Sequence, residues 1–248
     1  MNDSELQRCL ADSTRFGRLL HLSSCSSTQD VAASEPHGDV VVWADAQDAG
    51  RGRKGRSWLG APGKDVEVTF RARVPATDRP ARLAPILSTG IVLALESLLG
   101  ESMVFDWPND VMHRGRKLAG ILIDAEGGRE LGLLIGVGVN VNRTSFPPEL
   151  LERATSLALG SGRMIDREDV VLRLAQSIDE SLRALAEDRL HEHTSMFRSR
   201  LGLVDRRVRA VLVSGEVLEG ELEHLDLDDL RIRGRSVSLA LIESLSRS

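Results

Sequence analysis

The 248 residues, 42% hydrophobic and 28% charged, supply material for a large core with a smaller unit beside it and exclude a disordered chain. A formal net charge of -5 argues against bulk nucleic-acid binding, and Cys9 and Cys25 have neither disulfide-framework nor zinc-ligand spacing, which fits a reducing cytoplasm. No apolar run of about 18 residues and no basic-then-apolar leader is legible, so neither a membrane span nor export is expected.

In SSTQDVAAS, Ser27 or Thr28 caps a predicted helix that Pro36 and Gly38 end. DVVVWADAQ reads as a buried strand running into a loop. In DVEVTFRARV, Val66, Val68, Phe70 and Ala72 alternate with Glu67, Thr69, Arg71 and Arg73, which predicts a strand with one face in solvent. Helical spacing from Pro80 to Leu99 precedes a C-cap at Gly100. SMVFDW is a strand stopped by Pro108, PND and the RGR at 114 to 116 are turns, and KLAGILIDAE and ELGLLIGVGVNV pair across Gly127 and Gly128. Asp166 opens a long amphipathic helix through Val170, Leu174, Ile178 and Leu182, with Asp169 placed as in a capping box. Beyond about residue 200, short alternating runs separated by SGE, LDD and RGR predict four or five strands closing a small barrel, with a boundary between Arg200 and Asp205. His21, His37, His113, His191, His193 and His224 are scattered; His191 and His193, two apart on a predicted helix, point in different directions and read as surface residues. No nucleophile with an adjacent base is evident.

The stretch AGRGRKGRSW, residues 49 to 58, sets Arg51, Arg53, Lys54 and Arg56 on a loop between two strands. Cations alone would fit a solvated loop or a nucleic-acid patch. Gly50, Gly52 and Gly55 between them allow backbone N–H groups to approach an anion and allow positive φ angles, the composition of a phosphate cradle. WPND at 107 to 110 and KLAGIL at 117 to 122 each read, alone, as ordinary strand and turn sequence. Their order after the basic loop, with SSTQD before it and GVGVNVN at 136 to 142 behind, resembles the biotin protein ligases over about residues 20 to 245.

The resemblance implies an α/β (α+β) fold: a mixed-sheet biotin/lipoate ligase-like catalytic domain, 1–202, and a small SH3-like barrel, 203–248. It implies that biotin is activated by ATP as biotinyl-5'-AMP, with Mg2+ accompanying the nucleotide, and passed to a lysine of a biotin carboxyl carrier protein. By the same resemblance Lys117, Arg53 and Arg51 are catalytic, neutralising the carboxylate and the α-phosphate. Ser27, Thr28, Gln47 and Gly50 match positions that read the fused-ring head of biotin, and Gly52 and Gly120 complete that wall. Arg56 faces the triphosphate, Trp58 stacks on adenine, Asn140 hydrogen-bonds it, and Asn109 and Asp110 form a polar turn beside the phosphates, Asp110 as a contact for Mg2+ or water. Family members with a DNA-binding role carry a further N-terminal winged helix, for which the stretch before Ser26 is short, so no DNA partner and no membrane are expected; a homodimer is compatible. Three positions depart from the family pattern. Asp106 replaces the usual Lys before WPND, with Lys64 a candidate compensating cation; GKDVEV follows the basic loop, altering the wall beside biotin; and Gln29 replaces Asn after Ser-Thr. A lipoate or octanoate ligase and a catalytically weakened biotin-binding protein are the alternative readings.

Overall fold

Seven strands make the main sheet of the computed structural model, which describes residues 1–36, 38–75, 79–126 and 130–248. His37, and Gly127 and Gly128 across which the strand pairing was expected, lie outside the described residues. The chain runs α1 (Asp3–Ser13), β1 (Leu19–Leu22), α2 (Thr28–Ser34), β2 (Val40–Ala44), β3 (Val66–Pro75), α3 (Leu83–Leu99), β4 (Val104–Asp106) and β5 (Asp110–His113). It continues through β6 (Arg116–Glu126), β7 (Glu130–Val139), α4 (Leu157–Ser161), α5 (Arg167–Ala186) and α6 (His191–Leu201). Strand order is β1-β2-β3-β7-β6-β5-β4, with β1 and β2 parallel and the remaining neighbours antiparallel, so the sheet is mixed.

One face of the sheet carries the core. Val66, Val68, Phe70 and Ala72 of β3 pack with Ile86, Ile91 and Leu95 of α3 and Val171, Leu174 and Ile178 of α5. The helix at Pro80–Leu99 is long and apolar enough to cross a bilayer by length and composition, a run the sequence reading passed over; here most of it is buried, against α5 and α6. Gly100 ends it at φ 70°, the left-handed cap that glycine takes without a Cβ clash. Asp166 caps α5 by accepting from the backbone N–H of Glu168; the capping box with Asp169 does not form, because Asp169 instead pairs with Arg173 one turn on at 3.1 Å.

The other face is where the expectation for β3 fails. Glu67, Thr69 and Arg71 are 4%, 0% and 8% exposed, because α2 lies across that face, where Ala32 packs with Val40, Val42 and Leu134. Period-two alternation marks two different faces, and it does not say that one of them is wet. α1, β1, β5 and α4 also escaped the sequence reading; β1, β5 and α4 are only four or five residues long, too short for a periodic signal.

The chain ends in β8 (Arg207–Leu212), β9 (Val217–Leu225), β10 (Asp229–Ile232), β11 (Arg235–Ser238) and β12 (Ile242–Arg247), an antiparallel sheet of order β11-β10-β9-β8-β12. Four or five strands were expected to close a barrel; five form, but among the described residues no ladder joins β11 to β12, because one turn at Leu239–Leu241 carries the chain to the opposite edge, against β8. This sheet touches the main one through Trp107, whose indole N–H donates to the Ile242 carbonyl at 3.1 Å and whose ring meets Phe105 and Phe197 edge-on at 6.2 Å.

Candidate active site

The basic loop leaves β2 and returns to β3 along the sheet face opposite the core. Its backbone is tied at both ends: Trp58 N–H donates to Gly50 O at 2.9 Å and Gly52 N–H to Arg56 O at 2.7 Å. Of the three interleaved glycines only Gly55 has a positive φ, 70°, and the neighbouring left-handed residue is Lys54, at 57°. Gly50 and Gly52 serve close approach instead: a Cβ on Gly50 would lie 2.9 Å from the Trp58 carbonyl oxygen. Lys54 turns outward and pairs with Glu243 of β12.

Beneath the loop is a cavity of about 180 Å³. Ser27, Thr28, Gln47, Arg51, Gly52, Arg53, Arg56, Trp58, Asn109, Lys117 and Gly120 all line it, so segments some ninety residues apart in the chain converge there. A second, more open cavity on the far side of Trp58 is lined by Asp110 and Asn140, together with Arg56, Trp58 and Lys117. Gly50 is buried behind the first wall rather than lining either space.

Trp58 is the partition. Its indole lies on the glycine face of β6 and β7: a Cβ at Gly138 would come within 2.4 Å of its Cε2, and one at Gly120 within 3.0 Å of its Cζ3. The Gly-Val alternation of GVGVNVN is thereby explained, since Gly136 and Gly138 face the ligand side while Val137 and Val139 enter the core. Lys117 Nζ stands 5.6 Å from the Trp58 ring centre and 2.8 Å from Asp110 Oδ1. Its backbone is fixed from outside the sheet, donating to Arg153 O at 2.7 Å and accepting from Thr155 N–H at 2.9 Å. The Asn140 side chain donates to Thr155 O at 3.0 Å, so it braces the same segment.

Arg51 and Lys117 carry counterions. Arg51 Nη2 is 2.7 Å from Asp30 Oδ1 of α2. Burial, and then the nearby Arg56, lower the pKa of the Arg53 guanidinium. Asp106 is pushed up by burial first and by Asp110 second, while Lys117 pulls it down. The cation that pulls on Asp106 is Lys117, while Lys64, the candidate compensating cation, lies in the turn before β3.

Deeper in the first cavity the chemistry is neutral. Gln47 Oε1 accepts from Thr28 N–H at 2.7 Å and from its hydroxyl at 3.1 Å; that hydroxyl meets Thr69 Oγ1 at 2.9 Å. Thr69 donates onward to Gln29 Oε1 at 3.1 Å, and Gln29 Nε2 donates to Asp124 and to Leu134 O, both at 3.2 Å. Sequence reasoning placed Thr28 and Gln47 here and missed Thr69, Glu67 and Asp124. Polar residues in the middle of an apolar strand were the available signal. Asp65, at the mouth of β3, forms a buried ion pair with Arg143 at 2.6 Å and accepts from Ala61 N–H at 2.8 Å, which pins the loop after Trp58. One histidine differs from expectation: His193 is half-buried, beside Ser181, and the burial lowers its pKa; His113 is buried with Nε2 2.9 Å from Glu101.

The fold and site are those of an α/β protein with a mixed sheet that holds a cationic glycine loop over two adjoining cavities. The chain belongs to the biotin/lipoate A/B protein ligase family, whose pattern residues 22–142 match. It is 32% identical over 210 residues to the biotin–[acetyl-CoA-carboxylase] ligase of Mycobacterium tuberculosis, covering 80% of this chain and 75% of that one. With the bifunctional ligase/repressor BirA of Bacillus spizizenii it shares 34% identity over 194 residues, 74% of this chain but 59% of the relative's length. The biotin protein ligase of Aquifex aeolicus, solved in complex with biotin and ATP, superposes with a TM-score of 0.80 at 26% identity, covering 94% of this chain and 100% of that one.

Proposed function

We propose that this protein is an ATP-dependent biotin ligase that forms biotinyl-5'-AMP and transfers the biotinyl group to a lysine of a biotin carboxyl carrier protein. The observation that carries this reading is the position of Lys117, which lines both cavities at the edge of the Trp58 partition. An acid bound in the first space and a nucleotide in the second would meet at its ammonium.

The obstacle to their meeting is repulsion. Two unit charges 4 Å apart interact by about 4 kcal/mol at an effective dielectric near 20, so interposed cations lower the barrier by orders of magnitude. In the first step a carboxylate oxygen attacks the α-phosphorus, the bond to the bridging oxygen breaks, and pyrophosphate leaves with both electrons. Lys117, Arg53 and Arg51 neutralise the oxygens around that centre, and Arg56 faces the leaving group. In the second step the carrier lysine, as free amine, attacks the acyl carbon; AMP leaves, and the amine proton goes to solvent. No nucleophile of the protein is required. Catalysis is alignment and charge neutralisation.

Trp58 would stack on adenine, with Asn140 and the Asn109–Asp110 turn around the nucleotide. The carboxylates of Asp106 and Asp110 are hard oxygen donors beside Lys117 and suit the Mg2+ that accompanies ATP, which supplies further neutralisation of phosphate charge when bound. The neutral Gln47–Thr28–Thr69–Gln29 array favours biotin over lipoate, because a cyclic urea has donors and an acceptor to match it and a dithiolane has neither. The same reading takes residues 1–202 as the catalytic domain and 203–248 as an SH3-like domain, in a cytoplasmic protein.

Biotin-dependent exchange of pyrophosphate into ATP, followed by labelling of a carrier domain, tests the proposal. Both should occur, with lipoate failing to compete with biotin; absence of exchange and of labelling at saturating substrates would reject it.

A further inference from the structure

Glu67 is a carboxyl group without an evident structural purpose. It sits on β3 where the basic loop returns, lines the first cavity, and is 4% exposed. Gln47 reaches it through both side chain and backbone, yet Oε2 is buried with no hydrogen-bond partner, and no cation forms an ion pair with it among the described residues. Its carboxyl is packed against Gly60, where even a methyl group would collide with Oε1, so the side chain has little freedom to swing out to water. A buried carboxylate left in this state would be costly, whereas the neutral acid is a donor and an acceptor side by side.

We infer that Glu67 is a specificity-determining residue of the acid site, acting in its neutral form to pair with a cyclic urea. A carboxylic acid offers O–H and C=O in one plane, and a urea edge offers C=O and N–H in the matching order. Gln47, already tied to Thr28, holds the carboxyl at the end of the cavity where the fused-ring head is read. Ionisation would remove the donor and add a negative charge to a chamber that an acid must enter, so the two effects oppose binding together.

The surroundings agree. The Glu67 pKa is raised to about 7, by burial first and by Asp65 of the same strand second, with Gln47 and then Arg143 pulling it down. From the segment after β1, the Cys25 thiol faces it and is itself pushed up by burial and by the Glu67 charge. The guanidinium groups of Arg51, Arg53 and Arg56 and the ammonium of Lys117 line the same cavity.

This inference rests on the biotin reading, and the experiment separates the two. Biotin binding is measured calorimetrically without ATP from about pH 6 to 9, for the full chain and for Glu67→Gln. If only the neutral form binds, wild-type affinity falls about tenfold per pH unit above 7, while Glu67→Gln loses that slope. In parallel, wild-type binding at pH 8 in buffers of different ionisation enthalpy should show uptake of close to one proton, a readout that needs no variant to fold. Equal pH slopes in the two proteins, or no proton uptake, overturns the role of Glu67 and leaves the ligase reading standing. No biotin binding at any pH overturns both.

Discussion

Two regions of the site beside Trp58 are prepared in opposite ways: the depth of the first cavity and the wall under the basic loop. The inner one is wired by neutral groups, Gln47, Thr28, Thr69 and Gln29, that satisfy one another over distances of 2.7 to 3.1 Å. Under the basic loop the chemistry is ionic, with Arg51 of the first cavity held by Asp30 and Lys117, which lines both cavities, by Asp110, at 2.7 and 2.8 Å. Neutral wiring suits a polar head that must be recognised without charge. Paired ions suit a reaction in which anions arrive and displace counterions already in place.

Lys117→Ala should break the ionic side outright. Loss of one preorganised charge at the reacting centre predicts a fall of about a thousandfold in biotin-dependent pyrophosphate exchange, with biotin affinity reduced far less and the far-ultraviolet circular dichroism unchanged. Trp58→Ala removes the partition and the stacking face. Base stacking of about 1–3 kcal/mol predicts ATP binding weaker by roughly ten- to a hundredfold in calorimetry, with lesser damage to biotin binding. Equal losses for the two ligands would erase the distinction between the chambers.

The neutral side is sharpened by pH. The folded Glu67 carboxyl titrates at about 7 against an ordinary 4.5, so the stabilising contribution of its neutral form is intact below pH 4.5 and is lost as pH climbs through 7. Wild-type Tm should therefore drop by a few degrees more than that of Glu67→Gln between about pH 5 and 8, measured by calorimetry without ligands. The smallest effect is expected outside both chambers. Lys54 and Glu243 pair with 56% and 32% of their side chains exposed, and a double-mutant cycle of Lys54→Ala with Glu243→Ala should return no more than about 1 kcal/mol in urea unfolding, less at high salt.

This contrast also decides what was legible in the sequence. Charge interleaved with glycine stands out against a chain of net charge -5 and picks out Arg51, Arg53 and Arg56, whereas Lys117 and Trp58 are picked out only through the family resemblance. Thr69 and Glu67 were not, because an alternating strand gives the same pattern whether its polar face meets water or a short helix. α2 covers that face with only seven residues, too few to announce which strand they would cover. The ion pairs were equally hidden: Asp30 carries no signal in one dimension and Asp110, expected beside the phosphates, has no partner there, and only the turn of α2 and the β4–β5 hairpin bring them to Arg51 and Lys117. The helix of Pro80–Leu99 and the β6–β7 pair were read directly, since each is long enough for its period to repeat several times.

The seat of Trp58 has a practical consequence in optics. The chain has three tryptophans and no tyrosine, so ultraviolet emission comes from three separate stations. Trp43 lies stacked face to face on His21 with ring centres 3.9 Å apart, Trp107 is bonded to the C-terminal sheet, and Trp58 alone lines the cavities. Replacing the first two with phenylalanine would leave a single native fluorophore on the wall between them, able to report each arrival and departure in real time without any added dye.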